Sequence, residues 1–154
     1  GNMTSALEYY RKVEAVQPDN LNIALQIGQC LARKEEYTEA LAYFYKVEYL
    51  EKNPDNARRA IAWCSFLSGK YEEALKYYLL LIQQPSPKAH DWMNTGHVYF
   101  VQHQLQEALF HYQKAHAMET NHTAFIEKFN KDKSVLQNLG LNKEDIQIML
   151  DLLL

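Results

Sequence analysis

The 154-residue chain has little of what long loops, disulfide frameworks and membrane spans require. Four prolines and five glycines are too few for a protein rich in β-turns or irregular segments. Two cysteines cannot form the framework of a disulfide-rich secreted fold. No run of about 18 or more apolar residues is present to form a transmembrane helix. What remains is a globular composition, 47% hydrophobic and 23% charged.

The chain also lacks an excess of positive charge. Sixteen Lys and Arg residues stand against nineteen Asp and Glu residues, which gives a formal net charge of -3. No basic block interrupts this balance. Because nucleic-acid binding depends on clustered Lys and Arg, we expect no nucleic-acid partner.

Sequence motifs of catalysis are missing as well. There is no glycine-rich phosphate loop, no nucleophile elbow and no HExxH zinc motif. The acidic pairs Glu35-Glu36 and Glu72-Glu73 lie at predicted turns and helix starts, where negative charge suits the helix dipole. We therefore expect a protein that is not an enzyme and uses no cofactor.

All six histidines fall between His90 and His122, which raises the possibility of a metal site. His90 and His97 are too far apart along one helix face for an ordinary two-histidine chelate. His111 and His116 diverge, and no cysteine or close carboxylate completes a four-ligand shell. The sequence therefore predicts surface histidines and no metal.

The feature that is abundant is a repeat with a period of about 34 residues. A fixed period of this length predicts a stack of small units, none of which buries its apolar face alone. Cys30 and Cys64 follow the same period, so we expect two buried thiols in a reducing, cytoplasmic setting. Small residues and aromatic residues recur in register: Ala6, Ala40, Ala74 and Ala108, then Tyr10, Phe44, Tyr78 and Tyr112.

Each unit reads as two helices with apolar residues at helical spacing. Asp55 is predicted to cap one helix, Ser68-Gly69 to end it, and Asn142 to cap the last helix. The predicted helices cover residues 4–16, 21–33, 37–50, 57–67, 71–84, 89–102, 105–118 and 123–139, followed by a final apolar helix. The first of them matches only the second helix of a unit. We therefore expect the natural chain to begin upstream.

The third unit carries the most informative motif. Trp92, Gly96 and Tyr99 are followed by Ala108 and Tyr112. This pattern resembles the tetratricopeptide-repeat signature, although a threonine stands where leucine is usual. The resemblance implies an all-α right-handed superhelix of helix-turn-helix hairpins with C-terminal capping helices. It divides the chain into an incomplete repeat at 1–20, repeats at 21–54, 55–88 and 89–122, and capping helices at 123–154.

The resemblance also implies where function lies. In such proteins the side of each first helix that faces away from its partner lines a concave groove. We expect a non-enzymatic interaction scaffold whose groove binds a partner peptide or helix with apolar anchors and some negative charge. Alternatively, upstream repeats, a second copy or the apolar tail cover this surface. The predicted groove residues are Arg59, Trp63, Phe66, Met93, His97 and Phe100.

A second interpretation is self-association. The last helix has only a narrow polar stripe, so it must be covered on more than one side. A short secretion-type chaperone is a third interpretation, against which the incomplete first repeat argues. The residues predicted to form the homo-oligomer contact are Ile146, Met149, Leu150 and Leu153.

Overall fold

The computed structural model describes residues 2–154, and this part of the chain forms nine α-helices and no strand. The prediction of an all-α protein is confirmed. The helices are α1 (Asn2–Val16), α2 (Leu21–Arg33), α3 (Tyr37–Leu50), α4 (Asp55–Leu67), α5 (Tyr71–Ile82), α6 (Ala89–Val101), α7 (Leu105–Ala117), α8 (His122–Asn138) and α9 (Lys143–Asp151). No helix within residues 2–154 combines the length and the apolar character that crossing a membrane requires.

The helices form two compact units, with the boundary between Tyr77 and Tyr78 inside α5. In the first unit, α1 packs on α2, α2 on α3, and α3 on α4. The helices α2 and α3 approach closely at Gly28, where an added Cβ would lie 2.5 Å from Cε1 of Phe44. The missing side chain therefore lets the Phe44 ring lie directly on the backbone of α2.

The second unit repeats this arrangement in α6 and α7. A Cβ at Gly96 would lie 2.6 Å from Cδ1 of Tyr112, so this glycine receives the Tyr112 ring as Gly28 receives Phe44. Both aromatic side chains are fully buried. The helix α8 continues the core, because the Phe129 ring packs edge-on against Tyr112 at a centroid distance of 5.3 Å.

The turns inside the hairpins also follow the period. Glu35, Gly69 and His103 occupy the same position in successive repeats, and each has a positive φ, 63°, 80° and 59° respectively. A residue in the left-handed region ends a helix cleanly, and glycine adopts it without steric cost. Glu35 and His103 therefore accept some backbone strain to keep the same turn.

Asparagine side chains cap three helices. The Oδ1 atoms of Asn20, Asn121 and Asn142 accept hydrogen bonds from backbone N–H groups at 3.2, 2.9 and 2.7 Å. The predicted cap at Asn142 is confirmed. The predicted cap at Asp55 is wrong, because Pro54 precedes the helix as its cap residue and Asp55 is the first helical residue. Its carboxylate instead lies 3.7 Å from Nη1 of Arg58.

Polar side chains link the second helices of successive repeats in the first unit. Nη2 of Arg11 on α1 lies 3.0 Å from Oε1 of Glu39 on α3. One repeat later, the Tyr45 hydroxyl donates a 3.2 Å hydrogen bond to Glu73 on α5. The same two repeat positions therefore hold neighbouring helices together, once by an ion pair and once by a phenol.

Candidate functional site

An open pocket of about 320 Å³ lies in the first unit, on the inner faces of α2 and α4. These faces belong to the surface that the sequence predicts as the groove. Most of its lining is uncharged, and no acidic side chain contributes to it. The lining residues are Gln29, Ala32 and Arg33 from α2, Phe44 from α3, and Ala60, Trp63, Cys64 and Leu67 from α4.

Helical spacing explains how these side chains come together. Gln29 and Arg33 are one turn apart on α2, while Ala60, Trp63 and Leu67 follow the i, i+3, i+7 pattern on α4. Trp63 is half-buried, so part of its indole faces the pocket, and Arg33 is exposed at the end of α2. The arrangement combines an apolar wall with a positive charge.

Arg59 lies one turn before Trp63 and is half-buried. Its Nη1 lies 3.4 Å from Oδ1 of Asn56, in the first turn of the same helix. Of the two predicted groove residues at this end of α4, Trp63 lines the pocket and Arg59 lies beside it.

The thiol of Cys64 is the one conventional nucleophile in the pocket lining, and its surroundings make it unreactive. It is almost fully buried, and Sγ donates to the carbonyl of Tyr37 at 3.8 Å. Burial raises the pKa of the thiol to about 11, although the Lys70 charge opposes the shift. Because the thiolate is the nucleophile, Cys64 acts at neutral pH as a small apolar group.

Phe66 corrects the predicted site. It is fully buried, with ring centroids 5.5 Å from Trp63 and 6.0 Å from Tyr71. The prediction that it is exposed in the groove is wrong. Its ring contacts Tyr71 at the start of α5, so it belongs to the packing between the two helices of its repeat.

The predicted groove residues of the second unit are also buried, and their predicted exposure is wrong. Met93, His97 and Phe100 are each at most 3% exposed. The cause is the chain's own C-terminal region, because α8 packs on both α6 and α7. Of the segments that could occupy this surface, the C-terminal one covers it in the second unit.

His97 shows how α8 is held. Its Nδ1 lies 2.6 Å from the Tyr112 hydroxyl, and its Nε2 lies 3.2 Å from Oδ2 of Asp132 on α8. A carboxylate can only accept, so Nε2 of His97 carries a proton and donates it to Asp132. The Phe129 ring packs edge-on against the imidazole, with centroids 5.3 Å apart. His97 is therefore a core residue that joins three helices.

In the last helix, the side predicted to bind a second copy is buried and the opposite side is exposed. The residues predicted to bind a second copy are buried at 7% exposure or less, so that prediction is wrong for these four: Ile146, Met149, Leu150 and Leu153. Their i, i+3, i+4, i+7 spacing places them on one side of α9 and of the turn that follows it, and that side packs inside the chain. Ile148 in α9 and Leu152 just after it lie on the other side, each 58% exposed.

A second open pocket, of about 360 Å³, lies beside these exposed residues. Phe100 lies in its lining, and His103, Gln106 and Asp145 are its polar members. The remaining residues that line it are apolar: Leu105, Leu109, Ile148, Met149 and Leu152.

The histidines divide into buried, packed and paired groups. His111 packs between the rings of Trp92 and Tyr99, and its Nδ1 lies 2.7 Å from the Glu107 carbonyl oxygen. Nε2 of His116 lies 3.0 Å from Nδ1 of His122, a pairing that sequence spacing missed because a turn separates the two helices. In residues 2–154, no group of three or more His, Cys, Asp or Glu side chains is arranged to hold a metal ion.

The first part of the chain matches a known family. Residues 1–57 match the family model described as "Tetratricopeptide repeat". The chain contains tetratricopeptide repeats. The predicted family is therefore confirmed, and the packing of Phe44 on Gly28 is how one of these repeats closes. No curated protein matches the chain.

Solved structures share the tetratricopeptide-repeat fold over nearly the whole chain. A crystal structure of MamA has a TM-score of 0.72 at 18% identity, and it covers 99% of this chain and 87% of that one. MamA 41-end from Desulfovibrio magneticus RS-1 has a TM-score of 0.70 at 20% identity, with 99% and 86% covered. A tetratricopeptide repeat protein from Parabacteroides merdae ATCC 43184 has a TM-score of 0.66 at 18% identity, with 99% and 65% covered. Identities this low carry the fold and nothing further.

The repeats also support one general class of function. Tetratricopeptide-repeat proteins are typically interaction modules without catalytic activity, and this fold supports a protein–protein interaction scaffold. The pocket chemistry agrees with that class, since an inert thiol, an indole and a guanidinium suit binding.

Proposed function

We propose that this tetratricopeptide-repeat protein binds a segment of a partner protein in the pocket between α2 and α4. The segment carries an apolar anchor side chain and at least one acidic residue beside it. The observation that carries the proposal is the partly exposed Trp63 in an open pocket whose lining includes the Arg33 guanidinium and no acidic group.

The apolar part of the pocket lining supports an apolar anchor side chain in the partner segment. Ala32, Ala60 and Leu67 are all half-buried and surround Trp63, so a Leu or Phe side chain entering here would lose water on several sides. Burying such a side chain contributes roughly 1.5–3 kcal/mol. Tryptophan is also one of the residues most often found at the energetic centre of interfaces.

The charge of Arg33 supports an acidic residue in the partner segment. Within residues 2–154, Arg33 has no acidic partner, and it is exposed at the end of α2 where a ligand can reach it. Arginine can bind a carboxylate through two parallel hydrogen bonds, which fixes the orientation of a partner segment.

The experiment is a selection from a random peptide library on the purified full chain. We expect enriched peptides to pair an apolar residue with Asp or Glu. One such peptide, fluorescently labelled, is then titrated by anisotropy. Trp63→Ala and Arg33→Glu should each weaken binding at least about tenfold, equivalent to about 1.4 kcal/mol.

Two controls make this test specific. Lys12→Glu, on the exposed side of α1, changes the net charge as Arg33→Glu does and should leave affinity unchanged. Trp63→Leu keeps an apolar side chain next to Phe66 and controls for the packing of α4. If Trp63→Ala loses binding while its circular dichroism spectrum stays normal, the loss comes from the pocket and not from unfolding. Selected peptides that bind all variants equally would contradict the proposal.

A second candidate function is self-association through the pocket between α7 and α9. Leu105, Ile148 and Leu152 are each more than half exposed and line one pocket, which concentrates apolar surface there. Light scattering of wild type and Ile148→Glu distinguishes the outcomes. A dimer lost in Ile148→Glu but kept in Gln147→Glu supports assembly, whereas a monomer throughout rejects it.

The two cysteines support a reducing compartment. Cys30 and Cys64 are free and buried, so neither is a structural disulfide. A cytoplasmic location accords with this, and immunofluorescence of the tagged protein would test it.

A further inference from the structure

His116 and His122 face each other across the junction between α7 and α8. Nε2 of His116 lies 3.0 Å from Nδ1 of His122, and the ring centroids are 5.2 Å apart. Both side chains are half-buried, so solvent and small ions can reach them. Neither histidine belongs to the partner-binding pocket described above.

Both rings are held in place by the surrounding structure. The His116 ring packs edge-on against Phe125, with centroids 5.2 Å apart. His122 is the first residue of α8, directly after Asn121, whose side chain caps the helix through the Ala124 N–H. The pairing is thus part of the fold and does not depend on two freely rotating surface side chains.

The chemistry of the pair is unusual because two facing ring nitrogens can share only one proton. In the neutral pair, one nitrogen donates an N–H to the lone pair of the other. Two protonated rings would place N–H donors and like charges against each other. A cation with two vacant positions can use both lone pairs once the donating ring carries its proton on its other nitrogen.

The spacing matches one class of cation. Metal–imidazole bonds are about 2.0–2.1 Å long, so two nitrogens at a right angle around the metal lie about 3.0 Å apart, and about 3.4 Å apart in a tetrahedron. Right-angle positions occur in square-planar and octahedral sites, which Cu²⁺ and Ni²⁺ prefer with nitrogen ligands. The observed 3.0 Å fits that geometry.

We propose that His116 Nε2 and His122 Nδ1 bind one Cu²⁺ or Ni²⁺ ion, with water in the remaining positions. Binding requires the ring that donates this N–H to carry its proton on its other nitrogen, so that both imidazoles stay neutral and both facing nitrogens present lone pairs. The ion would tie the end of the last hairpin to the start of α8. The ion pair between Glu119 and Lys128, 2.6 Å from Oε1 to Nζ, joins the same two segments and neutralises the lysine charge near the site.

The test uses the untagged full chain after chelator treatment and dialysis. Calorimetric titration with NiCl₂ should give saturable binding of one ion per chain, and the thermal midpoint should rise with metal concentration. His116→Gln and His122→Gln should each abolish both effects. His103→Asn is the matched control, because His103 is an exposed histidine in a turn, and it should bind as wild type.

A second measurement covers the case in which the histidine variants fold poorly. Pulsed electron paramagnetic resonance of the wild-type chain with one equivalent of Cu²⁺ counts the imidazoles bound to the ion. Two imidazoles that fall to one in His116→Gln support the site. One imidazole in the wild type, or retention of both in either variant, overturns it.

Discussion

The hydroxyl of Tyr77 donates a 2.8 Å hydrogen bond to Oε1 of Glu48, and the same bond occurs one repeat earlier from Tyr43 to Glu14 at 3.1 Å. Each bond joins the second helix of one repeat to the second helix of the previous repeat. Oε2 of Glu48 also accepts from Nε of Arg58 at 3.3 Å. Successive repeats of the first unit are therefore held in register by polar bonds as well as by apolar packing.

Removing this hydroxyl should destabilise the chain. In Tyr77→Phe the partly buried Glu48 oxygen loses a donor, and hydrogen bonds to charged groups contribute about 1.5–3 kcal/mol. Because Arg58 still donates to Glu48, we expect a loss of about 1.5 kcal/mol in the free energy of unfolding, measured by urea denaturation. Tyr49→Phe is the control, since Tyr49 is 88% exposed and should show no change. Equal stability of Tyr77→Phe and wild type would contradict the structural role.

The close approach of Gly28 to Phe44 predicts a coupled pair. In Gly28→Ala the new methyl group would meet the Phe44 ring at 2.5 Å, so we expect a loss of about 1–3 kcal/mol from overpacking. In a Phe44→Leu background the same change should cost less, because the smaller side chain leaves room. A double-mutant cycle of urea unfolding measures the difference. Additive losses would show that the clash is not what Gly28 avoids.

The bond between His97 and Asp132 predicts how α8 is held within the second unit. In Asp132→Ala the buried Nε2–H of His97 loses its acceptor, which costs about 1–3 kcal/mol for an unsatisfied buried group. Partial exposure of Asp132 to water places the loss at the lower end. Hydrogen exchange should show faster exchange in α8 with little change in α2 and α3. Uniform protection across both units would contradict this.

Alkaline pH should unfold the chain through its tyrosines. Burial, and then the Glu73 carboxylate, raise the pKa of Tyr45 from 10.0 to about 12, and burial raises the pKa of Tyr78 and Tyr112 well above 10.0. These groups stay neutral in the folded chain while the unfolded chain ionises. Their contribution is therefore complete below about pH 10 and is lost as the pH rises toward 12.

The measurement is the urea midpoint across this range, with phenolate absorbance recorded in parallel. Most of the absorbance change should coincide with unfolding, and Tyr45→Phe should reduce the slope of stability against pH. Full ionisation of all tyrosines near pH 10 in a chain that stays folded would be the opposite result.

The regular part of the fold could be predicted because it depends on local rules. The periodic spacing of Ala40, Ala74 and Ala108 predicted the packed faces, and all three are fully buried. The bounds of α2 (Leu21–Arg33) and α3 (Tyr37–Leu50) are those predicted from apolar periodicity, whereas α5 ends at Ile82, two residues before its predicted end. Side-chain hydrogen bonds between repeats could not be predicted, because Tyr77 and Glu48 lie far apart along the chain and neither belongs to a recognisable motif.

The site could be predicted only in part. Trp63 lines a pocket on the predicted face, whereas Met93, His97 and Phe100 lie beneath the C-terminal helices. The repeat pattern describes each hairpin but contains no information about a helix outside the period that packs on it. Whether the predicted groove residues lie at the surface or in the core depends on that packing.

The sequence by itself determined the all-α repeat and the periodic residues that pack within each hairpin. These follow from the repeat period and from side-chain volume, which act between near neighbours. Only the tertiary structure decided which inner face stays open and which histidines meet. His97 was joined to Asp132, and His116 to His122, by the placement of α8, and that placement depends on the combined packing of three helices.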